Sequence, residues 1–388
     1  MDRVVVVGAG MAGSRSCEEL RAQGFEGEIV LLGAEQHLPY DRPPLSKEVL
    51  AGDLDDTALE VPWDRLDVDM RLGVAATGLR PGTVETTGGD LPYDGLVLAT
   101  GARAVTLPGA AGGSVLRTVD DALLLRSRLV PGARVVVVGA GWIGAEVATT
   151  AAARGCAVTV VDAGAAPLGI ALGDEVGSLT VPWYAEAGIE LLLSTGVASV
   201  EPDRVELADG RALPCDVVVV GVGARPDTGW LEGSGLELDR GVAVDEHLRA
   251  SWDGVVAVGD CAAWQSLRFG TRLRVEHWDD ALTAPVVAAT TLLGGSAVHD
   301  PVPYFWSQQL GHYLQHTGHA AGADAVVHRG TPGAPDGWTT CWLRAGRLIA
   351  LLAVDRPRDV VQGRKRIAAG DPVDLTALAD PATPVKSA

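Results

Sequence analysis

Two glycine clusters are the residues of this chain best suited to chemistry. Gly8-Ala9-Gly10-Met11-Ala12-Gly13 and Gly139-Ala140-Gly141-Trp142-Ile143-Gly144 share the spacing G-x-G-x-x-G, and each follows a run of four valines. That spacing suits a pyrophosphate. The first glycine permits a tight turn, the second lets backbone approach the phosphates, and the third lets helix and strand pack closely. A helix starting there offers unpaired N–H groups and partial positive charge to an anion. One such cluster is weak evidence; two in the same strand–turn–helix setting are much stronger.

Each cradle needs an acid near the end of the next strand to accept from ribose hydroxyls. Asp162 fills that position in the second. Its neighbours Ala163, Gly164 and Ala165 offer no arginine for a 2′-phosphate, so NADH is expected in preference to NADPH. Glu35, preceded by Ala34, is the candidate for the first. The competing reading makes both acids ordinary strand-end surface residues.

These residues must be held by repeated βαβ units. Arg3–Val7 reads as a central parallel strand, Ser14–Gln23 as a helix, and Glu28–Leu32 as the next strand. The order recurs as Arg134–Val138, Ala145–Arg154 and Ala157–Val161. Further strands are expected at Gly95–Thr100, closed by Gly101, and at Asp216–Val220, leading to Gly223. Another is expected at Gly254–Val258, closed by Gly259-Asp260. From Pro303 onward there is no glycine fingerprint. Runs such as Trp338–Leu343 and Leu348–Val354 suggest a third, mostly antiparallel domain. His312, His316 and His319 are spaced as on one helix face. No cysteine or carboxylate cluster adjoins them, so a polar helix face is expected and no metal.

With 388 residues, 47% of them apolar, the chain can build two or three cored domains. A net charge of −19 argues against nucleic acid. No apolar run is long enough to span a membrane, and the apolar start lacks a signal peptide's basic leader and cleavage site. A cytoplasmic protein without a membrane partner is expected. Cys17, Cys156, Cys215, Cys261 and Cys341 form no closely spaced pair, which excludes a redox disulfide beside a flavin. Two dinucleotide sites without such a pair suggest a bound FAD, NADH as hydride donor, and electrons leaving the protein.

Strings along the whole chain carry a resemblance. They include Pro39-Tyr40-Asp41-Arg42-Pro43-Pro44-Leu45-Ser46-Lys47, Leu98-Ala99-Thr100-Gly101, Leu116-Arg117-Thr118, Gly259-Asp260-Cys261-Ala262, Glu276-His277-Trp278 and Pro303-Tyr304-Phe305-Trp306-Ser307-Gln308-Gln309. With both glycine fingerprints, the chain resembles the FAD-dependent ferredoxin reductases that serve Rieske dioxygenases and class I cytochromes P450. The resemblance implies an α/β fold of glutathione-reductase-like architecture: two Rossmann-like domains plus a smaller α+β C-terminal domain. Its expected bounds are 1–112 with 240–302 for FAD, 113–239 for NAD, and 303–388 for the C-terminal domain.

The resemblance also implies roles. Lys47 would sit beside the flavin N5 edge. Glu146 would pair with it and meet the nicotinamide carboxamide. Asp260 would accept from the ribityl chain, and the Trp278 backbone N–H would face the flavin pyrimidine. Arg42 and Arg117 would contact FAD, and Ala12, Ala76, Thr100, Gly101 and Gly223 are further expected cofactor-binding positions. Trp306 would pack near the flavin ring. The implied partner is a transiently bound ferredoxin-type iron–sulfur protein, and the implied state a monomer or weak homodimer. Candidate docking charges are Arg268, Arg272 and Arg274, and Arg364, Lys365 and Arg366. The chain departs from the family pattern at Ile170, Asp280, Thr283 and Gln308. The alternative activity is direct reduction of a quinone or oxygen; a redox-sensing binding protein is a third reading.

Overall fold

The computed structural model describes residues 1–107 and 113–388, so the expected domain boundary after residue 112 lies outside the described residues. The chain opens with β1 (Arg3–Val7), α1 (Met11–Ala22) and β2 (Glu28–Gly33). Next come β3 (Val68–Leu72) and β4 (Gly95–Leu98). The pattern then restarts with β5 (Arg134–Val138), α2 (Trp142–Ala153), β6 (Ala157–Val161), β7 (Glu190–Leu192) and β8 (Val217–Val220). β9 (Val255–Ala257) and α3 (Trp278–Leu292) follow. The last region comprises β10 (Tyr304–Gln309), β11 (His312–Gly318), β12 (Ala325–Arg329), β13 (Trp338–Arg344), β14 (Arg347–Val354) and α4 (Pro357–Ala369).

These elements form two compact units. The first comprises Met1–Asp41, Thr57–Arg103 and Ala224–Pro303; the second comprises Arg42–Asp56, Ala104–Gly223 and Tyr304–Ala388. The first is built on a parallel sheet in the order β9-β4-β1-β2-β3. The second contains a parallel sheet in the order β7-β6-β5-β8. Thus β5 to β8 take the places of β1 to β4, and the repeat extends to register. Val7 pairs with Leu32, and Val138 with Val161. The N–H groups of Gly8 and Gly139 donate to the Leu32 and Val161 carbonyls, both at 2.8 Å. The four valines of β1 and of β5 are buried, as β-branched central strands should be.

Both helices begin three residues before the expected starts at Ser14 and Ala145. The reason is local. Gly10 and Gly141 are the N-caps, so the third glycine of each fingerprint lies inside the first helical turn.

The second unit also holds an antiparallel sheet, β10-β11-β14-β13-β12. It shares one apolar core with the neighbouring parallel sheet: Val137 and Val147 belong to the same buried cluster as Leu314, Trp338 and Leu352. This sheet overturns the helix reading of the histidines. His312 and His316 lie on strand β11. The missed signal was a two-residue hairpin turn: Leu310 and Gly311 have φ of +51° and +80°, the left-handed pair that joins twisted strands. His316 is buried between the rings of Phe305 and Trp342, at centroid distances of 5.4 and 5.9 Å. His312 stacks on Trp183 and meets Asp355 at 2.8 Å.

Candidate active site

In the first unit, three segments converge around the first glycine cluster. Gly8 has φ of +113°, and a Cβ there would overlap the Ala99 carbonyl oxygen; one on Gly13 would overlap the Gly8 carbonyl. Among the described residues, nothing lies within 4 Å of a Cβ built on Gly10, the extended N-cap of α1, and none supplies a side-chain cap. Backbone can therefore approach a ligand closely at Gly10, and the uncapped first turn of the helix has N–H groups of the kind a pyrophosphate uses. A Cβ on Gly259 would lie 3.1 Å from that of Ala12 and 3.9 Å from that of Ala281. So the first turn of α1, the turn carrying Asp260 and the first turn of α3 meet at one place. Thr100 leaves β4 beside Gly8, with its hydroxyl donating to the Asp227 carbonyl at 2.7 Å, and Gly101 has φ of +69°. Trp278 is the first residue of α3, and its indole N–H donates to Asp41 at 2.7 Å. Ala76 starts a short strand, Ala76–Arg80.

The two repeats differ at the position where a ribose acid is expected. Asp162 directly follows β6, and its carboxylate accepts from the N–H groups of Ala140 and Gly164, both at 2.6 Å. The matching position in the first repeat is Gly33, where a Cβ would come within 2.9 Å of that of Ala9. No acid fits there. Glu35, two residues on, carries the carboxylate, which accepts from the Tyr40 hydroxyl at 2.6 Å.

In the second unit the glycine cradle is reproduced. A Cβ on Gly139 (φ +106°) would overlap the Gly221 carbonyl, and one on Gly144 the Gly139 carbonyl. Gly141 is an extended N-cap that, among the described residues, has no side-chain cap and nothing within 4 Å of a Cβ. Gly223 (φ +115°) is exposed, and among the described residues nothing lies within 4 Å of a Cβ built there. Arg42 donates to the Arg117 carbonyl at 2.6 Å, and the Arg117 N–H donates to Asp121, which also closes the capping box with Thr118.

One face of α2 carries a buried charge pair. Glu146 and Lys47 form an ion pair at 2.7 Å, with side-chain exposures of 4% and 14%. The prolines of the Pro43–Ser46 turn restrict φ, and buried Leu45, Val49 and Leu50 anchor that segment in the core. This brings the Ser46 hydroxyl to the same carboxylate oxygen as Lys47, at 2.5 Å, and Ser46 accepts from Thr150 through its carbonyl. Ser307 donates to the other carboxylate oxygen at 2.6 Å. Lys47 also donates to the Pro43 carbonyl at 3.1 Å. A buried pair survives desolvation only with such saturation of its remaining acceptors and donors.

The pyridine nucleotide-disulphide oxidoreductase family model matches residues 2–284, and a reductase C-terminal family matches residues 304–388. The chain belongs to the pyridine nucleotide-disulphide oxidoreductase family. Among its relatives is the ferredoxin reductase component of chlorobenzene dioxygenase from Cupriavidus sp. (strain PS12). That protein is 38% identical over 392 residues, covering 97% of this chain and 95% of its own. The crystal structure of Fdr9 is 52% identical with a TM-score of 0.95 and 99% coverage of both chains. The reductase of the covalent putidaredoxin reductase–putidaredoxin complex is 33% identical, with a TM-score of 0.95 and coverage of 100% and 97%.

Despite the family name, there is no disulfide among the described residues, which include all five cysteines of the sequence. Burial pushes the thiols of Cys17, Cys261 and Cys341 up to about 12, 11 and 12, and raises Cys156 and Cys215 as well. The thiolate is the reactive form, so none of these side chains is prepared for exchange.

The departures have definite surroundings. Ile170 is fully exposed, and Gln308 is exposed on β10 between buried Ser307 and Gln309. Thr283 donates to the Asp279 carbonyl within α3. Asp280 is buried and meets His299 at 2.9 Å. Trp306 is half-buried and stacks on Tyr304 at 6.1 Å. Of the candidate docking charges, Arg272 pairs with Asp239 and Glu237, Arg274 with Glu276, and Arg366 with Asp371. Arg364 lies over the Tyr304 ring at 5.6 Å, while Arg268 and Lys365 are exposed. Ser46, Ser307, Asp41 and Tyr40 also make contacts at these sites; their sequence signal is adjacency to Lys47, Trp306, Arg42 and Pro39.

Proposed function

We propose that this chain oxidises NADH and passes the electrons singly to a small ferredoxin-type iron–sulfur protein serving a Rieske or P450 oxygenase. The observation that carries this reading is a duplicated glycine cradle accompanied by a buried Lys47–Glu146 pair and five unactivated thiols. The named activities of the relatives support it. FAD fits the first cradle: Gly8, Gly10 and Gly13 leave room for its pyrophosphate, with Glu35 as ribose acceptor and Ala12, Asp260 and Trp278 at the converging turns. NADH fits the second, through Gly139, Gly141, Gly144 and Asp162. When bound, FAD supplies a two-electron acceptor that can release electrons one at a time.

The chain's own work is positioning and electrostatics. Glu146 holds the Lys47 ammonium in a fixed place and orientation. A preorganised cation in a water-poor site stabilises negative charge developing opposite it far better than a solvated one. Asp162, already oriented by two N–H groups, accepts ribose hydroxyls and repels a 2′-phosphate, which favours NADH over NADPH. The reading also assigns the protein to the cytoplasm, where free thiols persist. Among the described residues, no helix is long and apolar enough to cross a membrane.

Steady-state NADH oxidation with ferredoxins, oxygen and quinones as alternative acceptors tests the assignment. A ferredoxin should support turnover at least about tenfold faster than either small acceptor, a margin of roughly 1.4 kcal/mol in barrier. Rapid quinone reduction without any ferredoxin response would replace this reading with the direct-reduction alternative.

A further inference from the structure

We propose that Ser307, on a strand of the C-terminal sheet, is a positioning residue for hydride transfer that acts through Glu146. The inference rests on the role given above to the Lys47–Glu146 pair. Glu146 has two carboxylate oxygens with separate custodians. Lys47 and Ser46 donate to Oε2, and Ser307 donates to Oε1. The direction of the Ser307 bond is set by Gln309, whose amide donates to the Ser307 hydroxyl oxygen at 3.1 Å and leaves the hydroxyl proton for Glu146. Both Ser307 and Gln309 are buried, at 1% and 2% exposure. The terminal torsion of a glutamate is broad and soft. With Oε1 released, the carboxylate can turn about that torsion, and the ammonium anchored on Oε2 turns with it.

The contact belongs to a longer seam. Trp142, Glu146 and Thr149 lie on one face of α2. Trp142 meets Phe305 edge-on at 4.7 Å, Glu146 takes the Ser307 hydroxyl, and Thr149 accepts from the Leu310 N–H at 2.8 Å. Strand β10 therefore fixes the rotation of the helix whose N-terminus forms the second cradle. The C-terminal sheet thus forms part of the machinery that orients the charge pair.

The test uses the full-length, FAD-loaded protein and its Ser307→Ala, Ser307→Cys, Ser307→Thr, Glu146→Gln and Glu146→Gln/Ser307→Ala variants. Anaerobic stopped-flow gives the limiting rate of flavin reduction by NADH, and titration gives the NAD+ dissociation constant. Ser307→Ala and Ser307→Cys should each reduce flavin about tenfold more slowly, since alanine lacks the donor and a thiol donates weakly. The NAD+ constant should stay within about twofold, and Ser307→Thr should recover most of the rate. On the Glu146→Gln background, Ser307→Ala should cost less than about twofold more. An equal loss on both backgrounds, or wild-type rates in both the alanine and cysteine variants, overturns the proposal alone. A Glu146→Gln protein that reduces flavin at the wild-type rate overturns the underlying reading and the proposal with it.

Discussion

Glu146→Gln should slow reduction of the flavin by NADH about a hundredfold while leaving FAD bound. Glutamine keeps the shape of the side chain but removes the charge that holds Lys47 at 2.7 Å. Its amide also presents donors to a site whose neighbours, Ser46 and Ser307, already donate. The ammonium is left buried without its counter-charge. Breaking such a pair costs about 3–5 kcal/mol when one partner is removed. A hundredfold rate loss corresponds to about 2.7 kcal/mol, so the prediction requires only part of that cost to appear in the transition state. FAD should stay because the substitution leaves its proposed phosphate cradle, Gly8 to Gly13, unchanged. Absorbance of the purified variant reports FAD content, and anaerobic stopped-flow reports the rate. Wild-type reduction would remove Glu146 from the mechanism.

The second large effect concerns stability in acid. His316 is buried between Phe305 and Trp342, and among the described residues neither ring nitrogen has a hydrogen-bond partner. Burial, then the charge of His319, lowers its pKa from 6.5 to about 4. The sign follows from linkage. Between pH 4 and 6.5 the unfolded chain binds this proton and the folded chain does not. Stability is therefore full above about pH 6.5, falls as pH drops through the window, and levels off below about pH 4. The whole window is worth about 3 kcal/mol, of which roughly 2 is gone by pH 5. His316→Leu, which fits an apolar slot and needs no partner, should be neutral or stabilising at pH 7 and should flatten this part of the acid limb. Urea midpoints of both proteins at pH 7 and pH 5 measure the difference. An unchanged loss on acidification in the leucine variant would show that other groups carry it.

The duplicated parallel core was legible because its signals are local. RVVVV followed by a glycine fingerprint specifies strand, turn and helix within about twenty residues, and the strand bounds Arg3–Val7, Arg134–Val138 and Ala157–Val161 were readable to the residue. Helix starts were read a turn late because Gly13 and Gly144 look like the end of a loop. Only the carbonyl they press against shows that they sit inside the helix. The histidines misled because spacings of four and three fit a helix face, while the deciding signal, a left-handed Leu310–Gly311 turn, is weak in sequence when its first residue is leucine.

In the sequence, Asp162 is singled out by its spacing from the second fingerprint, and Lys47 and Glu146 by the family resemblance. The saturation of Glu146 has no such signal. Ser307 reaches it from 161 residues away, and only tertiary packing pairs them. Likewise Gly33, at the acid's usual place, is explained by the close approach of Ala9, a contact no spacing rule contains.

The most direct test of the account is electron stoichiometry. The FAD-loaded protein is mixed anaerobically with a known amount of NADH and an excess of oxidised iron–sulfur ferredoxin, and flavin and ferredoxin absorbance are followed together. The account predicts rapid loss of the oxidised flavin band on NADH addition and reduction of about two ferredoxins per NADH, since a hydride carries two electrons and each ferredoxin accepts one. A flavin that stays oxidised when NADH is added ahead of the ferredoxin, or one that is reduced and leaves ferredoxin untouched, would contradict it.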